Sequence, residues 1–217
     1  MTRRSSTALA IVLPGLRYGA DRPLLRGMVE VLSRRGFDLA VARFGHAEDA
    51  AFMAADDAAQ IAQIAGDGRD ILRACAPPGV YRRVWLVGKS LGTLAMAGAL
   101  EGAAQNSPAL AAIWLTPSLL GTGLLAQMLG QQHPSLVIMG TDDPNHTPEA
   151  VARLSAAAHV TLHLAPGADH GFDHAGGPAA RDAALRRAID VADAWIGGLM
   201  AGPLAPRPSG AARGKGA

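Results

Sequence analysis

Six short apolar runs, separated by stretches of helical character, constrain the fold of this chain more than any other feature. Most runs are apolar at every position, a pattern typical of strands that are buried on both faces of a sheet. The runs are Leu9–Leu13, Leu39–Ala42, Val84–Val87, Leu110–Leu115, Leu136–Met139 and Val160–Leu164. Their alternation with helices predicts an α/β fold, a three-layer sandwich around a mostly parallel six-stranded sheet.

The stretches between the runs carry apolar residues at helical spacing, together with helix start or stop signals. The predicted helices are Pro23–Arg35, Asp56–Cys75, Ser90–Leu100, Thr147–Ala158 and Pro178–Leu199. Gly66-Asp67-Gly68 is a candidate interruption of the second helix, and 116–132 is a short segment rich in small residues. With 217 residues, the chain fits one domain over 1–200, followed by a basic tail, 201–217, that is predicted to be disordered.

Charge, hydropathy and cysteine content limit the classes of partner and compartment. The formal net charge is +2, but the basic residues of the tail account for this positive charge. The predicted domain is therefore close to neutral, and its sequence shows no basic stripe of the kind that binds nucleic acid. No apolar stretch is long enough for a membrane span, and the run Ala8–Leu13 is predicted to be a buried strand, not part of a signal peptide. The single cysteine, Cys75, excludes an internal disulfide and favours a cytoplasmic location.

A serine lies at the centre of Gly88-Lys89-Ser90-Leu91-Gly92, between the third predicted strand and the helix that follows. Glycines on both sides let strand and helix pass closely, so the turn exposes the Ser90 hydroxyl at the sheet edge. The same turn aims the backbone N–H of Leu91 and the positive helix end at negative charge beside Ser90. An ordinary glycine-rich turn between a strand and a helix is the alternative interpretation.

Two carboxylates and a histidine follow later strands of the predicted sheet. Asp142 and Asp143 come after the fifth strand, and His170 comes after the sixth. Catalytic groups of parallel sheets collect at the carboxyl ends of the strands. A serine hydroxyl needs an imidazole to take its proton, and the imidazole needs a carboxylate to fix its tautomer. The residues therefore favour a Ser-His-Asp triad, in which either carboxylate could be the acid.

Three motifs together resemble the α/β-hydrolase superfamily, and a fourth stretch, Leu13-Pro14-Gly15-Leu16, is similar to its oxyanion loop. The chain looks most similar to small members without a cap, of the dienelactone-hydrolase type, although dienelactone hydrolase has a cysteine where this chain has Ser90. The resemblance implies an α/β-hydrolase fold that lacks the first two strands and a lid domain. The three motifs are the elbow around Ser90, Gly140-Thr141-Asp142-Asp143-Pro144 and Gly167-Ala168-Asp169-His170-Gly171-Phe172.

The resemblance also assigns roles. Ser90 would be the nucleophile and His170 the general base and later acid. Asp143, the residue before proline, would be the triad acid, with Asp142 as the alternative. The backbone N–H groups of Leu16 and Leu91 would form the oxyanion hole, and no metal or organic cofactor is implied.

Four further residues are predicted to bind substrate. Arg17 and Tyr18 follow the oxyanion loop and could hold a substrate carboxylate, although a plain surface pair is an equal alternative. Thr116 and Phe172 are predicted to line the pocket because of their positions after strands.

Other polar residues near these motifs have structural interpretations. Lys89 is predicted to form a structural ion pair in preference to a catalytic role. His46 and His146 are predicted to be exposed loop histidines, with a role in the pocket as the alternative. Asp169, His170, Asp173 and His174 place four metal-ligand types within six positions. Gly171 indicates a loop, and no distant Cys/His pair completes a site, so no metal is predicted. Trp85, Trp114 and Trp195 are predicted to lie in the core.

These residues predict a serine hydrolase that cleaves a small carboxylic ester or thioester through an acyl-enzyme. Its expected partner is the small-molecule substrate, with neither nucleic acid nor membrane involved, and an exposed sheet edge makes a homodimer a further expectation. The short segment at 116–132 favours small acyl groups over long lipids. A catalytically silent binding or scaffold protein and an acyltransferase are the two alternatives.

Overall fold

In the computed structural model, which describes residues 7–101, 103 and 109–202, the six strands pair in parallel throughout. Their order across the sheet is β2-β1-β3-β4-β5-β6. The strands are β1 (Ala8–Leu13), β2 (Asp38–Val41), β3 (Arg83–Lys89), β4 (Ala109–Leu115), β5 (Ser135–Gly140) and β6 (Val160–Ala165). The predicted parallel α/β sandwich is confirmed, while residues 203–217 of the predicted tail lie outside the described residues.

Helices cover both faces of this sheet. Helices α1 and α7 pack on one face, and α3, α4, α5 and α6 contribute to the core on the other. The helices are α1 (Pro23–Arg34), α2 (Ala50–Ala54), α3 (Asp57–Cys75), α4 (Leu91–Glu101), α5 (Leu124–Gly130), α6 (Pro148–Ala156) and α7 (Pro178–Ala201). None of these helices in the described part of the chain is both long and apolar enough to cross a membrane.

The strand β1 shows why most strands of this sheet are apolar at nearly every position and do not alternate between apolar and polar residues. Ala8, Ala10 and Val12 pack against α1 and α7, whereas Leu9, Ile11 and Leu13 pack against the opposite helical layer. All six residues are buried, because the strand lies inside the sheet and has a helical layer on each side. At the two edges, β2 and β6 are only partly buried, since each has a single neighbouring strand.

Helix α3 is continuous through the glycines that mark a candidate interruption in the sequence. A Cβ atom at Gly68 would overlap the carbonyl oxygen of Ala95 on α4, and a Cβ at Gly98 of α4 would overlap the backbone of Ala65. The glycines therefore let the two helices touch backbone to backbone. The local helix-breaking tendency of glycine is outweighed by this tertiary contact.

We expect Gly68→Ala to lower the free energy of unfolding by about 2 kcal/mol, because α3 and α4 must separate to admit the methyl group. Gly66→Ala is the matched control, because its Cβ would meet only an Arg69 side-chain nitrogen at 3.7 Å. That control should gain up to about 1 kcal/mol from helix propensity. Urea denaturation of both variants measures the difference, and equal effects would contradict the close packing of the helices.

Aromatic side chains fill the core as predicted. The Trp85 ring meets Phe37 and Trp195 edge to face, with centroid distances of 5.3 and 5.4 Å. Trp114 is fully buried, and its indole N–H donates to Ser135 Oγ. Burial of the large rings together with a partner for the indole N–H is what stabilises such residues inside a core.

His46 is buried, so its prediction as an exposed loop histidine was wrong. Its ring stacks on Phe52 at 4.3 Å and on Phe44 at 5.3 Å, and its Nε2 lies 3.0 Å from Asp67 Oδ2. The short helix α2, absent from the predicted elements, brings Phe52 over the loop and covers the imidazole. His146, by comparison, is half-buried.

Candidate active site

Ser90 lies at the sharp turn between β3 and α4. Its φ angle is +51°, a left-handed conformation that non-glycine residues seldom adopt, while its N–H still donates to the carbonyl of Leu115 on β4. A Cβ atom at Gly92 would overlap the carbonyl oxygen of Leu13, and one at Gly15 would lie 3.2 Å from Ser90 Cβ. The elbow and the loop after β1 are thus packed against each other.

His170 connects the serine to a carboxylate. The Ser90 Oγ lies 2.8 Å from His170 Nε2, and the Nδ1 of the same ring lies 2.9 Å from Asp143 Oδ2. The carboxylate is buried, whereas about a third (34%) of the histidine side chain is exposed. When Nδ1–H donates to Asp143, the Nε2 lone pair faces the serine hydroxyl, which is the arrangement that a general base requires.

The two candidate carboxylates are in different surroundings. Asp143 accepts from His170, whereas Asp142 is exposed and its carboxylate accepts from the neighbouring Thr141 hydroxyl at 3.2 Å. The two adjacent carboxylates lie on the same turn after β5 but have different hydrogen-bond partners. The structure therefore places Asp143, not Asp142, beside the imidazole.

Asn145 holds the Asp143 carboxylate in place, and sequence reasoning missed it. Its N–H and its side-chain amide donate to Asp143 Oδ1 at 2.8 and 2.9 Å, and its own Oδ1 accepts from the N–H groups of Leu119 and Leu120. Burial alone would raise the pKa of Asp143, but the hydrogen bonds from His170 and Asn145 outweigh it and lower that pKa. An asparagine two residues after an aspartate is a turn signal that could have identified it.

The two backbone N–H groups predicted to form the oxyanion hole lie in the loop after β1, at Leu16, and at the start of α4, at Leu91. Within the described residues, the amides of Leu16 and Leu91 have no hydrogen-bond acceptor. Leu91 is the first residue of α4, so its N–H has no partner within the helix and lies at the positive end of the helix dipole. Leu16 lies in the turn that Gly15 and Tyr18 close with two 3.2 Å backbone hydrogen bonds.

Left-handed backbone conformations in the described residues mark the same edge of the sheet. The non-glycine residues with positive φ are Arg17, Ser90, Thr116 and Phe172. Each follows a strand at its carboxyl end, and each is a site residue predicted from the sequence. Strained backbone of this kind costs free energy and tends to cluster at functional sites.

The four residues predicted to bind substrate differ in accessibility. Arg17 is exposed, but Tyr18 is buried and its hydroxyl accepts from the Leu24 N–H, so the two do not form a surface pair. Thr116 is buried, and its hydroxyl has no partner in the described part of the chain. Phe172 is also buried, and it borders a cavity of about 110 Å³ together with Tyr18.

Lys89 does not form the predicted ion pair with any described carboxylate. Its side chain is 1% exposed, its Nζ donates to the backbone carbonyl of His170 at 2.7 Å, and it lies 4.7 Å from the centre of the Tyr18 ring. Burial lowers its pKa to about 8, although Asp143 and Asp169 partly oppose that shift. Lys89 is the last residue of β3, and its partner lies on the loop after β6, a contact between distant segments that no local sequence pattern indicates.

The repeated Asp-His pattern does not gather metal ligands. The described residues contain no group of three or more His, Cys, Asp or Glu side chains that could hold a metal ion. Asp173 is exposed and lies 3.8 Å from Arg181, and His174 borders a cavity of about 300 Å³ beside His163 and Arg187.

Solved structures share this architecture over nearly the whole chain. Est1E from Butyrivibrio proteoclasticus superposes with a TM-score of 0.66 at 13% identity, covering 90% of each chain. The mouse alpha/beta hydrolase domain-containing protein 10 superposes with a TM-score of 0.63 at 14% identity, covering 90% of this chain and 92% of its own. The chain has the α/β-hydrolase fold.

An alpha-beta serine hydrolase homologue from Coxiella burnetii has the same fold, with a TM-score of 0.56, 15% identity and coverage of 90% of this chain and 86% of that one. No protein-family model and no curated protein matches the sequence. At such low identities the likeness establishes the fold alone. In this α/β-hydrolase fold the segment between β4 and β5 contains α5, a helix of only 7 residues, among the described residues.

Proposed function

We propose that this protein is a serine hydrolase that cleaves small carboxylic esters or thioesters through an acyl-enzyme. The observation that carries the proposal is the continuous chain of hydrogen bonds from Ser90 through His170 to Asp143, with distances of 2.8 and 2.9 Å. A buried carboxylate, an imidazole and a strained serine in this order form an activated nucleophile. A binding or scaffold protein with the same fold would not require that chain.

In the proposed acylation step, Ser90 Oγ attacks the substrate carbonyl carbon while His170 Nε2 takes the hydroxyl proton. The carbonyl oxygen becomes an oxyanion, and the N–H groups of Leu16 and Leu91 donate to it. Asp143 stabilises the imidazolium that forms. The bond to the leaving alcohol or thiol then breaks, His170 returns the proton to the leaving group, and the acyl group remains on Ser90.

In the proposed deacylation step, His170 takes a proton from water as the water oxygen attacks the acyl carbon. The second oxyanion accepts hydrogen bonds from the same two N–H groups, and its collapse breaks the bond between the acyl carbon and Ser90 Oγ. The serine recovers its proton from the imidazolium, and the carboxylic acid is released. These steps use only side chains and backbone groups of this chain.

The short segment between β4 and β5 supports small substrates. With α5 as its helix, this segment offers little surface to cover a long acyl chain. One solved structure shows ferulic acid bound to Est1E from Butyrivibrio proteoclasticus, so esters of small aromatic acids belong in the substrate panel.

The single cysteine supports a cytoplasmic enzyme.

We expect kcat/KM to be highest for acyl groups of about two to six carbons or for small aromatic acyl groups. The test measures hydrolysis of matched 4-nitrophenyl esters and acyl thioesters of increasing chain length by the wild type and by Ser90→Ala. A maximum at long acyl chains would contradict the proposed substrate class. Hydrolysis that persists in Ser90→Ala would contradict the proposed mechanism.

A further inference from the structure

Lys89 is a buried cation that the proposed reaction steps do not use. It is the residue immediately before Ser90, and its side chain points away from solvent, with 1% exposed. Burying a charge costs free energy unless polar partners compensate. Its direct partners in the described residues are the carbonyl of His170, at 2.7 Å, and the face of the Tyr18 ring.

These two contacts connect the elbow to both loops that complete the candidate site. The carbonyl belongs to His170 itself, so the Nζ of Lys89 holds the backbone that carries the imidazole. The Tyr18 ring belongs to the turn that contains Leu16, and its hydroxyl is fixed by the Leu24 N–H. The ammonium therefore lies between the predicted oxyanion turn and the histidine loop.

The histidine loop is also attached to the turn after β5, because the Asp142 N–H donates to the Ala168 carbonyl at 3.0 Å and the Gly167 N–H donates to Thr141 Oγ at 2.8 Å. Within the loop, the Asp169 N–H donates to the Asp173 carbonyl and the Phe172 N–H donates to the Asp169 carbonyl, so these bonds shape the loop but do not attach it. Arg181 on α7 reaches Asp173 at 3.8 Å on the exposed side. Among the described hydrogen bonds, the one from Lys89 is what ties the backbone of His170 itself to the elbow.

We propose that Lys89 is a positioning residue, whose ammonium group holds the His170 backbone so that the imidazole stays within hydrogen-bonding distance of Ser90 Oγ. Its effect on the reaction rests on the proposed hydrolase function, whereas its effect on the loop does not. A charge-assisted hydrogen bond is about twice as strong as a neutral one, so an uncharged side chain of the same size should hold the loop less firmly.

The protonation state of Lys89 gives a second way to test the contact, because the strength of the hydrogen bond should depend on pH. The titratable groups that face it are Tyr18, Asp143, Asp169 and His170. Burial lowers the pKa of Lys89 to about 8, with the two carboxylates acting in the opposite direction. The ammonium is therefore lost as pH rises through about 8, and its bond to the carbonyl weakens over the same range.

The test compares Lys89→Met, which keeps the length of the side chain without a donor, with Lys89→Arg, which keeps the charge. Arg181→Met is the matched control, because it removes a cation that contacts the same loop from α7. Amide hydrogen exchange of residues 169–173 measures how firmly the loop is held. The rate of fluorophosphonate labelling of Ser90, measured from pH 6 to 10, measures the effect on the nucleophile.

We expect Lys89→Met to label about 100-fold more slowly at pH 7, the cost of misplacing a catalytic group by about 1 Å, with faster exchange in 169–173. Lys89→Arg should recover part of both losses, and Arg181→Met should stay within about twofold of wild type. The wild-type labelling rate should fall as pH rises through about 8, and that fall should be absent in Lys89→Met.

Unchanged exchange in 169–173, together with a labelling rate within threefold of wild type, would overturn the proposal for Lys89. If the wild type itself is not labelled, the hydrolase proposal fails, but the exchange measurement still decides whether Lys89 holds the loop. If Lys89→Met does not fold, the wild type alone gives the test. Its loop protection, corrected for intrinsic exchange, must then decrease between about pH 7 and 9, and constant protection would overturn the proposal.

Discussion

His170→Ala is expected to lower kcat for a short-chain ester by about 10⁶-fold. The imidazole Nε2 lies 2.8 Å from Ser90 Oγ, and no other described histidine forms a hydrogen bond with that hydroxyl. Without the imidazole, the serine proton has no acceptor during attack and the leaving group has no proton donor. Residual activity of about 10³-fold over water would come from the N–H groups that bind the oxyanion.

His174→Ala is the matched control for this prediction, because His174 lies on the same loop and also follows an aspartate. Its Nδ1 accepts from the Gly176 N–H, and among the described hydrogen bonds the one to the Ser90 hydroxyl comes from His170. This variant should keep kcat within about twofold of wild type. Comparable losses in the two variants would mean that the loop, and not the His170 base, is what the activity requires. Steady-state kinetics with 4-nitrophenyl acetate provides the comparison.

Asp143→Asn is expected to lower kcat by about 10⁴-fold with little change in the fold. Asn145 directs two N–H donors at Oδ1 of residue 143, so the amide oxygen of the variant should occupy that position. Its NH₂ group then faces His170 Nδ1 and donates to it. The imidazole is forced into the tautomer with its proton on Nε2, where it cannot accept from Ser90.

Asp142→Asn is the matched control, since the two carboxylates are adjacent in the chain and only one contacts the imidazole. It should leave kcat within about twofold of wild type. A loss in Asp142→Asn equal to that in Asp143→Asn would contradict the geometry at this turn. Rates measured across pH, with circular dichroism to verify the fold, decide between the outcomes.

The architecture was predictable because its signals are local in sequence and repeated. The all-apolar runs that end at Leu13 and Leu115 could be buried on both faces only in a covered parallel sheet. The glycines at 88 and 92 marked a turn in which backbone from different elements must approach closely, as the contact between Gly92 and the Leu13 carbonyl shows. The strand order, by contrast, depends on how the crossovers are placed in space.

The features that the sequence did not predict depend on contacts between distant segments. The glycine at 68 locally disfavours a helix, and only the facing backbone of Ala95 explains why α3 continues through it. His46 is polar and lies in a loop, but two aromatic rings cover it.

The same reason explains what was missed in the candidate site. Asn145 orients Asp143 and also accepts from two amides of a separate loop, a role that no local pattern encodes. Lys89 finds its partner 81 residues further along the chain, where no sequence spacing could indicate it.

The central claim is that Ser90 is an activated nucleophile, and covalent labelling tests it most directly. Wild-type protein and Ser90→Ala would be treated with a fluorophosphonate probe, and mass spectrometry would locate the adduct. We predict a single adduct on Ser90 in the wild type and none in a folded Ser90→Ala variant. Folded wild-type protein that forms no adduct, or an adduct that persists in Ser90→Ala, would contradict the claim.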